Sequence, residues 1–75
     1  MNKDIETKIG NNIRKIREEN GMTQEYLAAK LQLNGCDITR SALAKIEVGQ
    51  RHLYPDEIVL FRKILNTTYD EIFEL

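Results

Sequence analysis

A helix start signal, a helix stop signal and separate apolar and polar faces are all found in the stretch Thr39-Arg40-Ser41-Ala42-Leu43-Ala44-Lys45-Ile46-Glu47-Val48-Gly49-Gln50-Arg51. The Thr39 hydroxyl can cap the first turn, and Gly49 can adopt the left-handed conformation just past the last turn. Leu43 and Ile46 fall on one face and require burial. The other side chains that stay accessible are Arg40, Ser41, Ala42 and Lys45. Such a helix fits either a groove of DNA or the surface of an ordinary small bundle.

The segment before it predicts a second helix, which begins after Thr23 as its N-cap and continues through Leu31. Met22 and Leu27 have the spacing of a hydrophobic staple, which fixes the angle at which the chain enters a helix. Ala28 is small enough to let the backbone of a crossing helix approach. The sequence therefore predicts two consecutive helices, of which the second has an accessible polar face.

The two segments resemble the phage-repressor (Cro/C1-type) family of helix-turn-helix DNA-binding proteins. The first carries the string Thr-Gln-x-x-Leu-Ala at positions 23–28, and the second carries Ile-Glu-x-Gly-x-Arg at 46–51. Either string alone would be a weak signal, but both in the right order make a fairly specific one. The resemblance extends over about 9–73, nearly the whole chain.

The resemblance implies roles for several polar residues. The helix at about 39–48 would enter the major groove as the recognition helix, and Gln24 would bind the DNA backbone. Arg17 would pair with Glu47 and align the first helix with the third. The alternative is that these two residues are separate surface charges, and Arg14, one turn earlier, is a poorer match for the partner of Glu47.

The connection between the two helices departs from the family pattern, because it is longer than the usual turn of about three or four residues. Asn34 and Gly35 both tolerate positive φ, so they predict that the second helix stops near Leu33. Ile38 is expected to turn back into the core. The loop between is expected to lie in solvent, the alternatives being contact with the sugar-phosphate backbone or with a second protomer.

A first helix is predicted from about Asp4 to Asn20, where Asn20 and Gly21 stop it. Its isoleucines recur at intervals of three and four, the spacing of a core-facing stripe. These residues are Ile5, Ile9, Ile13 and Ile16.

A fourth helix is predicted to begin at Pro55, whose φ already suits the first helical position. Its inward face is expected to comprise Ile58, Phe61, Ile64 and Leu65, with Leu60 beside them. A short last helix is predicted after Thr68, which would form a capping box with Glu71. Five helices joined by short loops predict an all-α, compact five-helix bundle, and the resemblance implies that this bundle is of the lambda-repressor type.

Length and composition favour a single domain over residues 1–75, since 75 residues can enclose only one modest core. The sequence has no apolar run of membrane-spanning length and no secretory signal. Met1 to Asp4 is typical of a cytosolic start, so a cytoplasmic protein is expected. Cys36 is the single cysteine and cannot form an internal disulfide, so it is expected to be an ordinary small loop residue.

The net charge of −1 argues weakly against nucleic acid, but the charges are unevenly distributed. Residues 53–75 carry five acidic and two basic side chains, for −3, so residues 1–52 sum to +2. The basic part includes Arg40, Lys45 and Arg51. One basic face can therefore meet phosphates while the acidic end of the molecule turns away from them.

The residue types argue against an enzyme, because catalysis needs two or more converging groups. The chain has one His, one Cys and no Gly-rich phosphate loop, so no metal and no cofactor is expected. His52 follows the recognition helix and suits a backbone or phosphate contact better than catalysis. The stronger alternative is a protein-interaction module of helix-turn-helix shape, such as an antitoxin or a partner of another regulator. The intact polar face at 40–45 favours DNA.

The sequence therefore predicts a sequence-specific, double-stranded DNA-binding transcriptional regulator, acting as a repressor. Bases in the major groove are expected to be read by Arg40, Ser41, Ala42 and Lys45. Phosphates are expected to be held by Gln24, Thr39, Gln50 and Arg51.

Three or four phosphate contacts by one protomer imply weak binding at physiological salt, so a homodimer on an inverted-repeat operator is expected. The last helix is too short to be stable alone, and its Tyr69, Ile72 and Phe73 are the expected dimer contact. The alternative is that all three pack within one protomer. No small-molecule effector domain is expected.

Overall fold

The computed structural model describes residues 2–75, which form five α-helices and no strand within that range. The helices are α1 (Lys3–Glu19), α2 (Gln24–Leu33), α3 (Arg40–Glu47), α4 (Pro55–Leu65) and α5 (Tyr69–Ile72). The predicted all-α fold and the order of its helices are confirmed. Met1 belongs to the N-terminal segment 1–4 that we interpret as typical of a cytosolic protein, and it lies outside the described residues.

Side-chain caps begin four of the five helices. The predicted caps Thr23, Thr39 and Thr68 each accept a hydrogen bond from the backbone N–H three residues later, at 3.0–3.1 Å. Asn2 caps α1 in the same way, so α1 begins at Lys3 and slightly earlier than the sequence indicates. The predicted capping box of α5 is incomplete, because the Glu71 carboxylate lies 3.3 Å from the Thr68 hydroxyl instead of its backbone N–H.

One apolar core joins the helices, with α3 held between α1 and α2. Its fully or nearly buried members come from every helix and from the α2–α3 loop: Ile13, Ile16, Leu27, Ala28, Leu31, Cys36, Ile38, Leu43, Ile46, Phe61, Leu65 and Ile72. Ile9, Leu60 and Ile64 are half-buried against this core. Ile5 was expected in the core stripe, but it is 41% exposed.

The long α2–α3 connection is anchored to the core. The Cys36 N–H donates to the Leu31 carbonyl at 2.9 Å, which turns the chain back over the end of α2. Ile38 is fully buried, as predicted, and Gln32 donates its side-chain amide to the Ile38 carbonyl at 3.1 Å. Cys36 lies in this loop, as expected, and its side chain is buried. Burial of the thiol in apolar surroundings raises its pKa.

The last helix packs on α1 within the same chain. Ile72 is fully buried there, so it is unavailable for the dimer contact that we predict from the sequence. The Asn12 amide of α1 donates to the carbonyls of Ile72 and Glu74 at 2.9 and 2.7 Å, and holds the end of the chain. Tyr69 and Phe73 remain partly exposed beside it.

Candidate nucleic-acid interface

The helix α3 presents a polar face on one side and core residues on the other. Arg40, Ser41 and Lys45 are exposed, whereas Leu43 is fully buried. Ala42 is half-buried and packs against the core, so less of its methyl group is accessible than we predict from the sequence. The reason is helical spacing, because Ala42 lies one turn before the buried Ile46 and shares its side of the helix.

A buried polar cluster joins the three helices that surround this face. Arg17 of α1 donates from Nε and Nη2 to the two carboxylate oxygens of Glu47 of α3, at 2.7 and 3.1 Å. Glu47 is 1% exposed. The predicted ion pair is therefore present and is made by two hydrogen bonds. The alternative, that Arg17 and Glu47 are separate surface charges, is wrong. Arg14, the poorer match, pairs at 3.5 Å with Glu18 on its own helix.

The cluster also includes α2 and the turn before it. Gln24 donates its side-chain amide to Glu47 Oε1 at 3.0 Å, and Arg17 Nη1 donates to the Met22 carbonyl at 2.7 Å. Each carboxylate oxygen of Glu47 thus has at least one donor, which a buried charge requires. The hydrogen bonds to Glu47 raise the pKa of the Arg17 guanidinium, against the opposing effect of burial. The cluster sets how α3 is rotated relative to α1 and α2.

Two glycines allow α1 to approach α3 and the turn after it. A Cβ atom on Gly10 would lie 2.1 Å from the Ile46 carbonyl oxygen, and one on Gly49 would lie 2.8 Å from the Thr7 Cα. Gly49 has φ +77°, the left-handed conformation predicted for it. The role of Gly10 was missed at the level of sequence. A glycine inside an otherwise regular helix, between Ile9 and Ile13, was the available signal.

The chain after α3 is held by an ion pair with the start of α4. Arg51 donates to both carboxylate oxygens of Glu57 at 2.9 and 3.0 Å, and also to the His52 carbonyl at 2.8 Å. Glu57 additionally accepts the Tyr54 N–H at 3.0 Å, which caps α4. The hydrogen bonds from Arg51 lower the pKa of Glu57. Arg51, predicted to hold phosphate, therefore has most of its donors engaged within the protein.

The other predicted phosphate-binding residues lie at the ends of α2 and α3. Thr39 is exposed, and its hydroxyl already accepts the Ala42 N–H, which leaves its own hydrogen free to donate. Gln50 is exposed just past α3, and its backbone N–H closes the last turn onto the Lys45 carbonyl at 2.8 Å. Gln24 is half-buried, with one amide N–H given to Glu47. His52 bonds through Nδ1 to Glu6 at 2.6 Å.

A shallow recess of about 460 Å³ opens between the start of α2, the end of α3 and the middle of α1. Its polar lining includes Arg14, Arg17, Thr23, Gln24 and Glu25. The positive end of the α2 dipole lies at this edge, whereas Arg17 is paired there with Glu47, which also lines the recess, and Arg14 is paired with Glu18. Glu25 is the exposed carboxylate of this lining, and its Oε1 lies 3.5 Å from Arg40 Nε.

Among residues 2–75, no group of three or more His, Cys, Asp or Glu side chains could hold a metal ion. None of the helices in that range is long and apolar enough to cross a membrane.

The comparison with known families agrees with this arrangement. A family model described as helix-turn-helix matches residues 13–72, which include α2, α3, the buried cluster and α4. No curated protein and no solved structure gives a significant match to the chain. Since the family match covers most of the chain and includes both helices of the motif, this protein belongs to the Cro/C1-type helix-turn-helix family of DNA-binding regulators.

Proposed function

We propose that this chain is a sequence-specific transcriptional repressor that acts as one DNA-binding domain over residues 1–75 in the cytoplasm. The observation that carries the proposal is the exposed polar face of α3, at Arg40, Ser41 and Lys45, on a helix whose orientation is held by the Arg17–Glu47 pair. A buried two-point ion pair adds little net stability on average, but it does define geometry. A helix that reads base edges needs a defined rotation about its axis.

In this proposal α3 enters the major groove with its N-terminal end foremost. Arg40 donates to the O6 and N7 atoms of a guanine, which is the commonest base contact of arginine. Lys45, more than one turn later, reaches a second base along the same groove, while Ser41 donates or accepts as the base requires. The accessible part of the Ala42 methyl group contacts a thymine methyl.

Phosphates on either side of the groove are bound by the ends of α2 and α3. The Thr39 hydroxyl and the second amide N–H of Gln24 are the available donors there, with Gln50 past the end of α3. Arg51 contributes the N–H groups that Glu57 and His52 leave free. These contacts set the position of the protein on the duplex without reading its sequence.

The DNA-binding form is a homodimer on an inverted repeat, because a few phosphate contacts per protomer support only weak binding at physiological salt. Its contact surface is the partly exposed apolar face beside α5. Phe73, 42% exposed, lies there with Ile9, Leu53 and Ile58 around a groove of about 100 Å³. The occupant of this face is a second copy of the chain. Occupation of the operator by this dimer represses transcription by excluding other proteins from the same DNA.

The proposal is tested by selecting bound sites from a random duplex pool. We expect an inverted repeat, and Arg40→Ala should weaken binding to it by about 1–3 kcal/mol and relax preference at one base pair per half-site. The control is Lys63→Ala, which removes an exposed charge from α4 and should leave base preference unchanged. If no sequence is enriched and neither variant alters binding, the protein-interaction module becomes the better account.

The dimer is tested separately by sedimentation at micromolar concentration, with and without the selected DNA. Phe73→Ser should shift a dimer toward monomer while circular dichroism still reports a folded helical protein. Leu33→Ser is the control, since Leu33 is exposed at the far end of α2. A wild-type protein that is monomeric both free and on its DNA would contradict the dimer proposal.

A further inference from the structure

An exposed carboxylate lies where the proposed function needs positive charge. Glu25 is the second residue of α2, and its side chain is 70% exposed at the rim of the recess. Phosphates approaching the start of α2 would be repelled by this charge. Glu25 therefore weakens binding to any DNA, unless the same charge contributes to which DNA is bound.

The geometry of the pair suggests such a contribution. Glu25 Oε1 lies 3.5 Å from Arg40 Nε, and Arg40 is the first residue of α3. An arginine has five N–H donors in a planar fork, of which Nε carries one. A carboxylate beside Nε leaves the four N–H groups of Nη1 and Nη2 available. Two of these are sufficient for the paired contact with guanine.

Other cations near Glu25 have partners of their own. Arg17 is bound in the buried cluster by Glu47, and Arg14 is paired with Glu18 at 3.5 Å. Arg40 forms no other ion pair or side-chain hydrogen bond within residues 2–75. The pairing of Glu25 with Arg40 across the helix-turn-helix is therefore the one that restricts where this guanidinium can point.

We propose that Glu25 is a specificity-determining positioning residue, which acts through Arg40; this inference rests on the proposed function. It holds the guanidinium toward the base edges and keeps it from turning to a phosphate. Its negative charge also lowers affinity for unrelated DNA. Both effects increase the ratio of specific to non-specific binding, at the expense of total affinity.

The test compares Glu25→Gln with wild type on the selected site, on single-base variants of that site and on scrambled duplex. We expect tighter binding of the variant to scrambled DNA, since a repulsive charge is lost. The slope of log affinity against log salt should steepen by up to about one as Arg40 gains a phosphate. Preference at the base pair read by Arg40 should fall about two- to fivefold, the range of an exposed ion pair.

The matched control is Glu18→Gln. Glu18 is also an exposed carboxylate 3.5 Å from an arginine Nε, and its loss changes the net charge equally. This variant should leave preference at every base pair unchanged. A second control repeats Glu25→Gln in an Arg40→Gln background, where it should no longer affect base preference, because the residue through which it acts is gone.

The outcomes separate this inference from the proposed function. If wild type discriminates between sites and Glu25→Gln discriminates equally well at every position, the inference is wrong and the function stands. If Glu25→Gln still changes preference without Arg40, Glu25 acts by another route and the inference is again wrong. If wild type does not discriminate between any DNA sequences, both are overturned.

Discussion

Replacing Arg17 with Met should severely destabilise the fold, because it leaves a buried carboxylate without its main donors. In the wild-type protein Glu47 accepts three hydrogen bonds, two from Arg17 at 2.7 and 3.1 Å and one from Gln24 at 3.0 Å. Met fills a similar volume but removes both charged donors. It also leaves the Met22 carbonyl without the Arg17 N–H that it accepts at 2.7 Å.

The magnitude follows from the burial of the remaining charge. Glu47 is 1% exposed, so water cannot replace the lost donors without opening the site. Removing one partner of such a pair costs about 3–5 kcal/mol. A domain of this length has a total stability of about 4–11 kcal/mol. Arg17→Met should therefore remove a large fraction of the free energy of unfolding, and DNA binding should fall in proportion to the folded fraction.

Urea unfolding at neutral pH, followed by circular dichroism, measures this change. Arg14→Met is the matched control, since Arg14 is exposed in the preceding turn of α1, and we expect a change within about 0.5 kcal/mol. Arg17→Lys keeps the charge but loses the two-point geometry, so its loss should lie between those of the other two variants. It also keeps the experiment interpretable if Arg17→Met does not fold.

A double-mutant cycle decides whether the pair itself is responsible. Adding Glu47→Gln to Arg17→Met removes the stranded charge and should recover part of the lost stability. If the two substitutions destabilise additively, or if Arg17→Met is as mild as Arg14→Met, the reasoning about the buried pair is refuted.

Three further substitutions test other parts of the structure. Gly10→Ala should lower the free energy of unfolding by at least about 2 kcal/mol, because the added Cβ would meet the backbone of α3. Asn11→Ala, at an exposed position, is the control and should not lower it. Equal effects of the two substitutions would exclude the close approach of α1 to α3. Glu57 has a pKa lowered by Arg51, so this pair stabilises the fold above the unfolded-state pKa of about 4.3 and loses that contribution as pH falls through the lower folded-state value. Glu57→Gln should therefore lose less stability than wild type between neutral and acidic pH in urea titrations, and parallel profiles would contradict this. Thr39→Asp should keep the N-cap of α3 and leave the free energy of unfolding unchanged. It should weaken DNA binding, because the new carboxylate repels phosphate. Unchanged affinity for DNA would show that Thr39 does not bind phosphate.

The helices of this protein could be predicted from the sequence because the signals for them are local. Thr23 and Thr39 cap helices through backbone groups only three residues away, and Gly49 ends α3 through its own backbone conformation. The 3.6-residue period assigns Leu43 and Ile46 to one face whatever they pack against. These short-range constraints were sufficient to predict the two helices of the motif and, apart from the half-buried Ala42, the side chains of α3 that remain exposed.

The tertiary structure alone determined which distant groups meet. Ile5 belongs to the same periodic stripe as Ile13, yet it is 41% exposed, whereas Ile13 is fully buried. Arg51 looked free in the sequence, but α4 brings Glu57 within hydrogen-bonding distance of it. The resemblance pointed to the Arg17–Glu47 pair, but the inclusion of Gln24 depends on how three helices pack. Such contacts depend on the relative positions of whole helices, which no local propensity encodes.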